Sequence, residues 1–165
     1  MFSRLMPTPV SCTVTSTFES WEFRWAYVVR YASDHSFTTE ERTRLLDESL
    51  ADSRTRHRFF VTLAGSIWRE SDITGARSDW RILLVDSTGR QTEPVEMSRI
   101  DRPSADQRTY FQSINRQRMT FRIAFPVQNV DGTPSVAPDA DHVLLRFAGA
   151  QGTVNLRWDL ERPAS

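Results

Sequence analysis

The side chains that most often carry chemistry are few here: three histidines, His35, His57 and His142, and one cysteine, Cys12. A Ser-His-Asp apparatus needs a serine held on a strained turn beside an oxyanion hole. No Gly-x-Ser-x-Gly elbow occurs. The nearest run, Ala64-Gly65-Ser66, falls inside an alternating apolar stretch, where serine is a spacer. Asp131, Asp139, Asp141 and His142 crowd one segment, and hard oxygen ligands at that density suit calcium. Their spacing matches no EF-hand, and aspartates equally favour turns by bonding their own backbone. They are weak metal candidates, and the expectation is no catalytic residue, no metal and no cofactor. A lone Cys12 excludes an internal disulfide and a thiolate zinc cluster. Lipid attachment is the one modification it suggests.

Other residues suit contact better than catalysis. All 21 basic residues are arginine, balanced by 21 acidic ones. Balanced charge leaves no bulk field to recruit nucleic acid, and no glycine-rich phosphate loop or basic-aromatic signature occurs. Arginine presents a planar, weakly hydrated fork that suits protein contacts. Arg116 and Arg118 flank the start of an expected strand. Among five tryptophans, Trp80 and Trp158 alternate with apolar neighbours and read as core. Trp68, at a strand end beside a polar loop, is the exposed candidate, with Tyr110 on a nearby loop. Trp68, Tyr110, Arg116 and Arg118 are the expected interaction residues.

The elements that must hold these residues are mostly strands. The length of 165 residues and 39% hydrophobic content fit one globular domain. Residues 154–160 alternate apolar and polar, and Val143, Leu145 and Phe147 repeat the spacing, which predicts a hairpin closed by residues 148–152. Residues 58–68, 80–86 and 119–127 read as central strands, 12–18 as a first strand, and 92–100 as an edge strand demoted by Pro94. Residues 20–32 fit both periods. Their length favours a helix, with Trp21 and Trp25 on its core face. Thr38 and Glu41 have capping-box spacing and open a second helix, its flanks expected to carry pairs between Glu40, Glu41, Asp47, Glu48 and Arg42, Arg44, Arg54. Residues 107–117 read as a loop or short helix plugging one end. The fold expected is mainly β (α+β): an antiparallel, immunoglobulin-like β-sandwich of about seven strands with two N-terminal helices. It forms a single domain over residues 1–165, with an extended arm at 1–11, a helical insertion at about 20–54 within a sandwich at 12–160, and a tail at 161–165.

From Val28 onward the chain resembles a group of bacterial exported proteins and lipoproteins with no established activity. The matching pieces are Phe59-Phe60-Val61, Trp80 to Leu84, Pro94, Tyr110-Phe111, Phe125-Pro126 and Gly152 to Trp158, together with the two-helix segment from Tyr27 to Leu50. The resemblance implies a periplasmic or membrane-peripheral location and no catalytic residue. Two prolines interrupt the apolar run before Cys12, which departs from a secretory signal, and no run is long enough to span a bilayer. The expected function is a non-enzymatic interaction module, an accessory subunit docking on other protein subunits of an envelope or membrane-bound complex. The alternative is a small-ligand or carbohydrate binder using Trp68 and the loops near Tyr110.

Overall fold

The computed structural model describes residues 12–65, 72–75, 78–150 and 152–161. In chain order the elements are β1 (Cys12–Phe18), α1 (Trp21–Asp34), α2 (Thr39–Ser53), β2 (Arg56–Gly65), β3 (Trp80–Asp86), β4 (Gln91–Thr92), β5 (Glu96–Arg99), α3 (Ala105–Tyr110), β6 (Met119–Pro126), β7 (His142–Gly149) and β8 (Gly152–Asp159). Two antiparallel four-stranded sheets result, ordered β1-β2-β6-β5 and β4-β3-β7-β8. Their facing residues form one core: Phe59, Val61, Leu63, Phe121, Ile123 and Phe125 from the first sheet, and Ile82, Leu84, Val143, Leu145 and Phe147 from the second.

Among the described residues there are eight strands and three helices, against the seven strands and two helices expected. The extra strand comes from residues 92–100. Pro94 has no backbone N–H to give a ladder. The chain therefore leaves the second sheet after Thr92 and joins the first at Glu96. The closing hairpin is also tighter than the spacing suggested. Gly149 pairs with Gly152, and Gly152 has φ of 139°, which suits a residue without Cβ.

A third layer covers the outer face of the first sheet. Thr62, Thr120 and Ala124 point away from the two-sheet core and are nonetheless buried. Phe60, on the same face, stacks on Phe111 at 3.8 Å, and Phe23 of α1 packs on Phe111 from above. Residues 20–32 are helical, but the helix is rolled relative to the expected wheel. Its buried residues are Arg24, Val28 and Ala32, while Trp21 and Trp25 are 49% and 48% exposed.

Arg24 explains the roll. It is 6% exposed, and every nitrogen of its guanidinium has an acceptor. Nε donates to the Glu19 carbonyl at 2.8 Å, Nη1 to Asp52 Oδ2 at 2.7 Å and the Ser49 carbonyl at 3.2 Å, and Nη2 to the Arg56 carbonyl at 3.3 Å. One side chain thus ties α1 to the end of α2 and the start of β2. Asp52 also receives Arg58, at 2.8 Å. Burial works against ionising Asp52, but the hydrogen bonds and charges of the two arginines outweigh it and hold its pKa below the ordinary value. The charge pairs expected along the flanks of α2 do not form among the described residues. Its acidic partner for arginine is Asp52, at its C-terminal end.

The ends of the helices obey local rules. Ser20 caps α1, its hydroxyl accepting from the Phe23 amide at 3.3 Å. Thr38 and Glu41 form the reciprocal box expected for α2. After α1 the Phe37 amide donates to the Ala32 carbonyl at 2.9 Å and the Ser36 amide to the Ser33 carbonyl at 3.2 Å. That is a Schellman stop, with Ser36 at φ 53° where glycine is usual. Ser36→Gly is therefore expected to stabilise the protein by about 0.5–1 kcal/mol, by relieving the left-handed penalty on a residue with a Cβ. Urea denaturation midpoints would read the gain, and an unchanged or lowered midpoint would refute it.

Candidate functional site

Two of the four residues expected to make contacts, Arg116 and Arg118, lie together at one end of the first sheet. Arg116 and Arg118 lie in the turn before β6, Arg99 ends β5, and Arg108 projects from α3. All four line one concavity of about 460 Å³. Between them the lining is mixed: Ile100, Pro103, Ile114 and Met119 are apolar, and Asn115 and Thr120 are polar. Pairing of β5 with β6, Arg99 opposite Phe121, brings Arg99 beside the turn that carries Arg116 and Arg118.

The four guanidiniums are not equally engaged. Nε of Arg99 meets Asp101 at 2.7 Å, and its Nη1 meets Asp72 at 3.5 Å. Nη1 of Arg118 donates to Thr15 Oγ1 at 2.9 Å, which leans that side chain against β1. Arg108 and Arg116 are exposed, and neither has a hydrogen bond or ion pair among the described residues. Asp101 is the one carboxylate in the lining. A concave, partly apolar surface with two committed and two free guanidiniums can bind carboxylates bidentately and cover an adjoining apolar side chain.

Tyr110 lies elsewhere. It leaves the concavity to Arg108 and turns towards α1, where its hydroxyl donates to Asp34 at 2.7 Å. That bond raises its pKa to about 12 and, with Arg30, lowers that of Asp34. Its ring meets Tyr27 edge-on at 5.1 Å. The residue pins α3 to α1. Trp68 lies outside the described residues, as does Ser66.

The histidines and aspartates do not converge. His57 is half-buried beside Phe18. Burial and then the charge of Arg24 push its pKa down to about 4, far from the neutral range a general base needs. His35 Nε2 lies 3.3 Å from Asp106 and its Nδ1 2.9 Å from the Tyr31 carbonyl, closing the C-terminal end of α1 onto α3. His142 is hydrogen-bonded to its neighbour Asp141. Asp131 takes both the amide and hydroxyl of Thr133, the backbone-bonding role that aspartate plays in turns. Among the described residues no group of three His, Cys, Asp or Glu side chains is arranged to hold a metal ion.

Cys12 opens β1 opposite Gly65. Its side chain is half-buried and packs against the core, and burial raises its pKa. A thiol in that setting is a poor nucleophile.

Arg99 and Arg108 are the site residues that sequence reasoning missed. Their signal was composition alone, since strand pairing and a short helix bring them beside Arg116 and Arg118. No family model, curated protein or solved structure matches the chain. No described helix is long and apolar enough to cross a membrane.

Proposed function

We propose that this chain is a non-enzymatic docking module. It is an accessory subunit that seats on a larger envelope or membrane-bound assembly by closing its arginine-lined concavity over an acidic stretch of a partner protein. The observation that carries this reading is the convergence of Arg99, Arg108, Arg116 and Arg118 on one partly apolar hollow, with Arg108 and Arg116 unpaired among the described residues. The apolar part of the lining favours a protein segment over a bare polyanion, because the half-buried Ile100 and Ile114 leave apolar surface to be covered. The envelope location rests on the likeness to exported proteins drawn from the sequence.

The frame supports the same reading. An immunoglobulin-like sandwich keeps strands A, B, E and D in one sheet and C, F and G, with or without C′, in the other. Orders β1-β2-β6-β5 and β4-β3-β7-β8 correspond to A-B-E-D and C′-C-F-G. Such a frame is stiff, and many surface modules present their contacts on it.

The test is charge reversal at the two free guanidiniums. Arg108→Glu with Arg116→Glu should leave the unfolding midpoint nearly unchanged, because neither side chain bonds to the fold among the described residues. Partner retention, read by native mass spectrometry of the complex from its source, should fall at least tenfold, about 1.4 kcal/mol. Full retention by the double variant, or a wild-type chain that is only ever a free monomer, would sink the proposal. Equal competition by heparin or by anionic vesicles would move it from a protein segment to a polyanion.

A further inference from the structure

A second concavity lies on the opposite side of α3, and the docking reading makes no use of it. It is a cleft of about 630 Å³ between the three helices, with the outer face of the first sheet beneath. Pockets of a few hundred Å³ with aromatic walls and a few converging polar groups are the usual form of a small-molecule site.

One wall is aromatic. Tyr27 and Tyr31 stand one turn apart on α1, with rings 18° from parallel and centroids 5.9 Å apart. Both are half-buried, and no hydrogen bond occupies either hydroxyl among the described residues. The pair is braced by neighbouring rings. Tyr110 meets Tyr27 edge-on at 5.1 Å, and His35 stacks on Tyr31 at 4.0 Å. Phe37 closes the end at 5.6 Å from Tyr31. These rings are held in place before anything binds, which removes an ordering cost.

The other walls carry groups of both signs. Glu41, Arg44 and Glu48 come from α2, Asp106 and Gln107 from α3, and Arg122 from the sheet beneath. Several are partly committed. Arg122 holds Glu19 at 3.2 Å, Asp106 faces His35, and Glu41 gives one oxygen to the Thr38 amide. Glu48 and Arg44 have no partner among the described residues.

This mixture decides the ligand class. An anion would meet three carboxylates, and a cation would meet two guanidiniums. A neutral ring bearing several hydroxyls satisfies both sets. Its O–H groups donate to carboxylates, and its oxygens accept from arginine and amide N–H, in charge-assisted bonds stronger than neutral ones. Its C–H groups can pack against the tyrosine rings where His35 does not cover them. We propose that the cleft between α1, α2 and α3 is a carbohydrate site, taking one or two sugar rings against Tyr27 and Tyr31.

The proposal is independent of the arginine concavity, and its test keeps the two apart. The full chain, labelled with 15N, would be titrated with maltose, cellobiose and N,N′-diacetylchitobiose while backbone shifts are followed. The expected result is saturable binding of at least one disaccharide in the millimolar range, about −4 kcal/mol, with shifts confined to α1, α2 and α3 around the cleft. Tyr31→Ala should weaken it roughly tenfold or more, as the loss of a main aromatic contact does. Should that variant misfold, Glu48→Arg, at an exposed helical position, should weaken it as well. Arg108→Glu with Arg116→Glu should leave it unchanged. No saturable shift with any of the three sugars, or shifts lying outside the cleft, would overturn the assignment. So would equal or tighter binding of benzoate or tetramethylammonium at the same residues.

Discussion

Replacing Arg24 with methionine should lower the stability of the protein by about 3 kcal/mol, near the range for breaking a buried ion pair. The methionine fills part of the same volume, so the loss reports the hydrogen bonds rather than a cavity. Four acceptors lose their donor at once: Asp52 and the carbonyls of Glu19, Ser49 and Arg56. Asp52 keeps Arg58, which holds the effect towards the lower end. Because Arg24 ties α1 to acceptors in the β1–α1 link, α2 and β2, the helical layer should loosen before the two sheets do. Hydrogen exchange would then accelerate in α1 and α2 well ahead of β6 and β7. A variant with wild-type stability, or with uniform acceleration across both layers, would refute the role given to this arginine.

The second large effect should come from Asp86, at the end of β3. It is 2% exposed and accepts four hydrogen bonds. Oδ1 takes the amides of Thr88 and Arg90 and the Thr88 hydroxyl, and Oδ2 takes the Ala137 amide at 2.8 Å. One carboxylate therefore closes the β3–β4 turn and fastens the loop before β7. Asp86→Ala should cost about 3 kcal/mol, since it strands the buried Ala137 amide, a desolvation penalty of about 1–3 kcal/mol, and removes three further hydrogen bonds in the part-buried turn. Burial opposes ionising this group, but the Thr88, Ala137 and Arg90 bonds outweigh it and hold its pKa low. Its folded pKa lies below its unfolded value, so the unfolded chain takes up the proton first as pH falls. The contribution is present in full above the unfolded carboxylate pKa of about 3.9 and is lost as pH drops through the folded value. Wild type and Asp86→Ala should thus converge in stability in acid and diverge near neutrality. A stability gap that is constant from acid to neutral pH would contradict this account.

Much of the framework was readable because a strand with one buried face writes a period of two into its residues. Phe121, Ile123 and Phe125 point inward as their spacing demands, and β8 alternates half-buried and exposed along its length. What spacing does not reveal is a third layer. Thr120 and Ala124 alternate with the inward residues and are nonetheless buried, since the helical layer and Phe111 lie over that face. The roll of α1 was hidden for a related reason. Aromatic weight pulled Trp21 and Trp25 towards the interior, while an arginine was not expected there. Arg24 is tolerated because its donors meet four acceptors supplied by three separate elements, and no local pattern announces that.

The candidate sites divide in the same way. Arg116 and Arg118 were visible as neighbours, whereas Arg99 reaches them through strand pairing and Arg108 from the short helix α3. The crowded aspartates looked like ligands because ligand chemistry and turn chemistry call for the same side chain. Asp131 resolves into the second, spending its oxygen on Thr133.

The roll of α1 also divides the tryptophans among the described residues. Trp21 and Trp25 ride the solvent side of the helical layer. Trp80 and Trp158 lean on the two-sheet core, the latter 5.2 Å from Phe59. A water-borne quencher such as acrylamide reaches the first pair far more readily than the second. Light emission can therefore follow the helical layer and the sheet interior separately in one unlabelled sample.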